Sequence, residues 1–226
     1  RHEADLEAAV VRQTRLVREV HHRVKNNLQV VASLLNLHSR GSANEEVAAA
    51  YVPVAVEIIP AINRLAAAVR RTGGKVFWIK QTVDDDSAVA WSSWLGMMTA
   101  QTRKRLVTNL APGSRGHDLH ADLDVKGEDE IVQKYRFSAF VQGASDLPQR
   151  LRAQGYDTVL IVGTVTNVCC ESSARDAMML NFKTVMISDA NATRTDEEHN
   201  ATLSTFLAIF GDVMETDYAI ARLEAG

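Results

Sequence analysis

Thr158-Val-Leu-Ile-Val162 runs into Gly163-Thr-Val-Thr-Asn-Val-Cys-Cys-Glu-Ser-Ser-Ala-Arg-Asp176, and this stretch decides the fold. A short apolar, β-branched run is followed by a turn, and a helical pattern opens directly after it. A strand that feeds a helix is half of a βαβ unit. A parallel sheet is therefore predicted, with ligand beyond the carboxyl ends of its strands. The same layout presents the Cys169 thiol at a helix N-terminus. Unpaired N–H groups and the helix dipole there favour the thiolate, the nucleophilic form of cysteine. Its neighbour Cys170 points elsewhere on the helix and reads as core packing.

Working outward, the chain from Tyr51 onward alternates strands and helices. A helix over Val54 to Arg71 stops at Gly73-Gly74, and Lys75 to Gln81 is a strand. Trp91 to Asn109 carries one or two helices, Ile131 to Lys134 a short strand, and Leu147 to Gln154 a helix. Beyond the central stretch, Thr184 to Ser188 is a strand and Thr195 to Phe210 a helix. Val213-Met214 is a short strand, and Tyr218 to Leu223 a last helical turn or two. Right-handed crossovers between these strands give an α/β fold.

Composition narrows the function classes. The 226 residues are 46% hydrophobic, enough for a full core, and the formal net charge of −3 gives no reason to expect nucleic acid. No apolar stretch reaches the roughly 18 residues of a membrane span. Two adjacent cysteines exclude an ordinary disulfide framework and point to a reducing, cytoplasmic setting.

Before Tyr51 the text differs. Leu6, Val10, Gln13, Val17, Val20, Val24, Asn27, Val31, Leu34 and His38 keep a 3–4 spacing, and neither Gly nor Pro interrupts. One helix of roughly 50 Å is predicted, with a stripe that needs partner helices. A homodimer through this helix is the expectation.

From Val52 to about Leu223 the chain resembles the isochorismatase-like cysteine hydrolases, a family that includes nicotinamidases and N-carbamoylsarcosine amidases. The carrying residues are the Gly163–Ser172 run, Lys134-Tyr-Arg-Phe-Ser-Ala-Phe140, Arg175-Asp-Ala-Met178 and Ser188-Asp-Ala-Asn-Ala-Thr193. The resemblance implies Cys169 as nucleophile and Lys134 as the charged helper beside it. It also implies a cis-type Val165–Thr166 peptide and an oxyanion hole from the N–H groups of Val165 and Cys169. A first strand ending in Asp, within an apolar-apolar-apolar-Asp-x-Gln segment, belongs to the same pattern. No such segment stands upstream of Val52, where the acids are Glu3, Asp5, Glu7, Glu19, Glu45 and Glu46. The expected fold is thus a partial, Rossmann-like parallel sheet lacking the family's first strand, with a long N-terminal helix. One of Asp84, Asp85 and Asp86, just past the strand ending at Gln81, is a candidate substitute base.

Glu19-Val-His-His-Arg-Val-Lys-Asn-Asn-Leu-Gln29 and the run after it resemble the dimerisation and phosphoacceptor helix of a sensor histidine kinase. That resemblance implies His22 as phosphoacceptor and a fusion of two coding segments. The division falls at Tyr51, with 1–51 kinase-like and 52–226 hydrolase-like.

Three functions are expected from these readings. The first is a hydrolase of small-molecule amide C–N bonds through Cys169 and Lys134, impaired by the missing Asp. The second is a metal-dependent hydrolase of activated esters or phosphoesters, phosphotriesterase-like. There His21, His22, His117, His120 and Asp122 hold zinc, manganese or another divalent ion, whose bound water supplies the nucleophile. The third is a non-catalytic dimerisation or phosphotransfer module.

Overall fold

The computed structural model describes residues 28–33, 44–84, 86 and 90–226. In chain order these form β1 (Leu28–Ser33), α1 (Asn44–Arg71), β2 (Lys75–Gln81), α2 (Ser92–Gly96), α3 (Ala100–Leu110) and β3 (Glu130–Lys134). They continue with α4 (Leu147–Ala153), β4 (Thr158–Thr164), α5 (Glu171–Met179), β5 (Lys183–Ala192), α6 (Asp196–Ile209), β6 (Asp212–Met214) and α7 (Thr216–Glu224). All neighbouring strands pair in parallel, in the order β3-β2-β1-β4-β5-β6. That order is doubly wound. Its switch point lies between β1 and β4, where connections leave for opposite faces and a crevice opens at the carboxyl ends.

The α/β class and the parallel sheet are as the sequence predicts, but two parts of the prediction are overturned. Leu28–Ser33 is a strand, not part of a long helix, and the sheet has no missing member. Val31 lies opposite Phe77 of β2 and Ile161 of β4, so β1 occupies the middle of the sheet. The run Leu-Gln-Val-Val-Ala-Ser carries two adjacent valines, which suit a pleated strand bonded on both sides. A helical spacing of apolar residues cannot be told from a buried strand over so short a run. The proposed helix-mediated dimer loses this segment as well, because it is committed to the sheet. The remaining residues of the kinase-like reading, His21 and His22 included, lie outside the described residues.

Alternation along each strand builds two cores. Val76 and Trp78 of β2, with Leu160 and Val162 of β4, pack under Ile58, Ile62, Leu65 and Val69 of α1 and Leu223 of α7. Phe77 and Ile79, with Val159 and Ile161, meet Leu147 and Leu151 of α4, Ala174 and Ala177 of α5, and Phe206 of α6. Every residue of β4 is buried, as expected for a strand covered on both faces. α1 starts ten residues before the predicted Val54 and runs unbroken across Tyr51–Val52, through an Ala- and Glu-rich first turn of high helix propensity. It stops where Gly73 takes φ 85° and Gly74 N–H returns to the Val69 carbonyl at 2.8 Å.

Candidate active site

Three strands deliver the site from their carboxyl ends. β2 ends at Gln81, β3 at Lys134, and β4 at Thr164, beyond which Thr166–Cys170 forms a single π-helical turn leading into α5. Gly163 takes φ 116°, a conformation that favours glycine, at the point where the chain leaves β4 for that turn. The Thr164–Val165 peptide is cis, one bond earlier than the sequence reading placed it.

Lys134 and Cys169 are fully buried and touch. Lys134 Nζ donates to Cys169 Sγ at 3.4 Å, to Gln81 Oε1 at 2.5 Å and to the Arg136 carbonyl at 3.0 Å. An ammonium has three hydrogens, and three acceptors receive them. Burying this charge costs several kcal/mol unless such partners replace water. Cys170, on the next position, packs in the core. Burial pushes its thiol well above the ordinary range, and the charge of Cys169 adds to the effect. Cys169 faces the Lys134 ammonium, whereas Cys170 packs in the core.

The turn that holds Cys169 is fastened to α6. Thr166 Oγ1 lies 2.9 Å from His199 Nδ1, and Thr193 Oγ1, just before α6, donates to Asn167 Oδ1 at 2.8 Å. Thr202 Oγ1 of α6 donates to Glu171 at 3.3 Å, and Arg175 pairs with the same carboxylate at 2.6 Å. Glu171 and Arg175 are an i,i+4 pair on one face of α5, whereas Asp176, adjacent to Arg175 in sequence, diverges on the helix. His199 faces the Thr166 turn. Burial lowers the His199 pKa below 6.5 despite Asp196 nearby.

Sequence reasoning missed Gln81, Thr82 and the aromatic group around Arg136. Trp91 and Trp94 stack at 4.2 Å between ring centroids, and Phe137 meets both edge-on. The Arg136 guanidinium sits over Trp91 at 5.2 Å and donates to the Tyr135 and Ala90 carbonyls. The sequence places Gln81 at a strand end on the ligand edge, but its link to Lys134 comes only from the register of β2 and β3.

The metal reading is not assembled. His117 is buried with Nε2 2.8 Å from Thr82 Oγ1, while His120 Nδ1 accepts the Asp122 N–H at 3.3 Å. No group of three metal-ligating side chains forms among the described residues. His21 and His22 lie outside those residues. Of the acidic run, Asp84 raises the Tyr135 pKa by its charge, second to burial of the phenol, and Asp86 is exposed. β1 ends at Ser33, in register with Gly163 and Ile79, and carries no carboxylate.

A doubly wound α/β protein with a buried thiol–ammonium pair at its switch-point edge is thus defined. The isochorismatase domain family matches residues 41–218, and the chain belongs to that family. It is 37% identical over 93 residues to nicotinamidase 3 of Arabidopsis thaliana, covering 41% of this chain and 46% of that protein. It is 30% identical over 169 residues to the ureidoacrylate amidohydrolase RutB of Agrobacterium fabrum, covering 71% and 73%. Several of the curated relatives are matched over only about half their length, as with 46% for the Arabidopsis protein and 53% for a Bacillus subtilis isochorismatase family protein, YwoC. The solved structure of a cysteine hydrolase from Pseudomonas syringae superposes with TM-score 0.71 at 26% identity, over 88% of this chain and 92% of that one. Among the described residues no helix is long and apolar enough to cross a membrane.

Proposed function

We propose that the chain is a cysteine hydrolase of small acyl compounds, cleaving amide or ureide C–N bonds. The observation that carries this reading is the contact at 3.4 Å between the buried Lys134 ammonium and the Cys169 sulfur. An adjacent cation favours the thiolate, and the thiolate attacks the acyl carbon. Backbone N–H groups of Val165 and Cys169 receive the developing oxyanion. As the C–N bond breaks, Lys134 Nζ gives its proton to the departing nitrogen, leaving a thioester on Cys169. Water then adds to the thioester carbon and returns a proton to Nζ, and the C–S bond breaks to restore thiolate and ammonium. Among the described residues the acceptors of the Lys134 hydrogens are Gln81 Oε1, the Arg136 carbonyl and Cys169 Sγ, so Lys134 is assigned the proton transfer in this reading. Trp91, Trp94 and Phe137, gathered about Arg136 whose carbonyl holds the Lys134 ammonium, offer faces that suit flat acyl groups. Relatives named as a nicotinamidase and as ureidoacrylate amidohydrolases support the bond class.

The kinase-like reading rests on sequence alone, and the strand at Leu28–Ser33 counts against a continuous phosphoacceptor helix. Metal-assisted hydrolysis has no assembled ligand set behind it.

Cys169→Ala tests the proposal on a panel of nicotinamide, ureido acids and N-carbamoyl amino acids. Loss of a nucleophile is expected to lower kcat/KM by at least about 10³-fold. Turnover that survives the substitution would sink the reading.

A further inference from the structure

Gln81 sits where the thiol–ammonium pair is held, yet neither the motif around Cys169 nor the one around Lys134 includes it. Its side chain is 6% exposed and all its polar atoms are engaged. Oε1 accepts from Lys134 Nζ at 2.5 Å, while Nε2 donates to the Lys134 carbonyl at 3.2 Å and the Thr82 carbonyl at 3.3 Å. This arrangement fixes the amide's orientation. Turning it over would set its oxygen against two carbonyl oxygens and its NH2 against an ammonium. The backbone repeats the link, since Thr82 N–H donates to the Lys134 carbonyl at 2.8 Å. Lys134 is therefore gripped at both ends by one residue: its carbonyl by Nε2 and its Nζ by Oε1.

A lysine side chain has four rotatable carbons, and without a directed acceptor its head samples many positions. Of the three acceptors around Nζ, Sγ is the longest contact and the Arg136 carbonyl is part of a loop. Gln81 Oε1 is the shortest contact and belongs to a strand end paired with β3, Gln81 lying opposite Lys134 in register.

We propose that Gln81 is the positioning residue of this site, aiming the Lys134 ammonium at Cys169 Sγ through its side-chain carbonyl. The inference rests on the proposed role of Cys169 as nucleophile. A neutral amide suits the task. It offers an acceptor without a second negative charge, so the cation's field stays directed at the sulfur rather than being cancelled by a carboxylate.

The test reads the thiolate directly. Thiolate absorbance at 240 nm is titrated against pH, with the Cys169→Ala protein subtracted so that Cys170 and the tyrosines cancel. Lys134→Met sets the reference for complete loss of the cation. Gln81→Met, close in size and without the acceptor, is expected to raise the Cys169 midpoint by about one pH unit, roughly tenfold less thiolate at neutral pH. Gln81→Asn keeps the polarity but falls short by about one 1.5 Å bond, and is expected to shift the midpoint in the same direction. It serves if Gln81→Met fails to fold by circular dichroism. Combining either variant with Lys134→Met is expected to add nothing beyond Lys134→Met alone, because Gln81 acts through the ammonium. An unchanged midpoint in the Gln81 variants, or shifts that add to that of Lys134→Met, would overturn the proposal. A KM effect with an unmoved midpoint would likewise overturn it and assign Gln81 to substrate contact alone. Full turnover in Cys169→Ala would sink the hydrolase reading while leaving this titration interpretable.

Discussion

Two buried cationic side-chain types, Lys134 and His117, answer the same desolvation problem differently. Lys134 is surrounded by three acceptors suited to a protonated donor. His117 shares one ring nitrogen with Thr82 and leaves Nδ1 without a partner among the described residues. A histidine in that setting is best kept neutral. Burial lowers its pKa, and the Lys80 ammonium lowers it further, against a smaller opposing pull from Asp118. His199 moves the same way, chiefly through burial. Both groups bind a proton more readily in the unfolded chain, whose histidines titrate near 6.5. Their contribution to stability is then complete above that value and is lost as pH falls from about 6.5 through the lower folded values. Urea midpoints measured between pH 7.5 and 5 are expected to fall on acidification, and His117→Gln should flatten the slope. A steeper or unchanged slope in that variant would show that His117 does not carry the effect.

At the scale of elements, the turn holding Cys169 borrows its order from α6. Thr166, Asn167 and Glu171 each have a polar partner on or just before that helix, so the position of the Cys169 sulfur depends on a segment some thirty residues later in the chain. Thr166→Val keeps the side chain's shape and removes the hydroxyl. The loss of this buried hydrogen bond is expected to cost about 1–2 kcal/mol in urea unfolding. A misplaced sulfur should also lower kcat while leaving KM nearly unchanged. Reduced stability with an undiminished kcat would mean that α6 supports the fold but not the nucleophile. The sequence made β4 and the thiol legible, because β4, the turn and α5 follow one another without interruption. The α6 contacts were not legible: Thr166 and His199 are 33 positions apart, and nothing in the text around His199 marks it as facing inward. Gln81 was hidden for a related reason. Its role appears only once β2 and β3 are placed in register.

The whole molecule turns on β1. Alternating strands and helices after Tyr51 were enough to predict the class of fold, but the sheet's middle strand comes from a segment whose spacing of apolar residues also fits a helix. Val24, Leu28, Val31 and Leu34 satisfy a 3–4 period as readily as Leu28–Ser33 satisfies a buried strand. Tertiary pairing decides between them, since β2 and β4 each present an edge that only an extended segment can satisfy. β1 meets β2 over five residue pairs and β4 over six, so both ladders depend on it. It also separates the strand ends that carry Gln81 and Lys134 from the one that leads to Cys169. A chain beginning at Asn44 would leave β2 and β4 with unpaired backbone groups, each costing on the order of 1–3 kcal/mol where water cannot reach. Closing the gap instead would draw Lys134 and Cys169 together by about one strand spacing of 4.8 Å, destroying their contact geometry. The truncated chain is therefore expected to lose the cooperative thermal transition of the full chain and the proposed hydrolase activity together. Differential scanning calorimetry and amide turnover check this directly. A truncated protein that melts at the full chain's temperature would show that residues 28–33 are dispensable to the sheet, and the central placement of β1 would have to be abandoned.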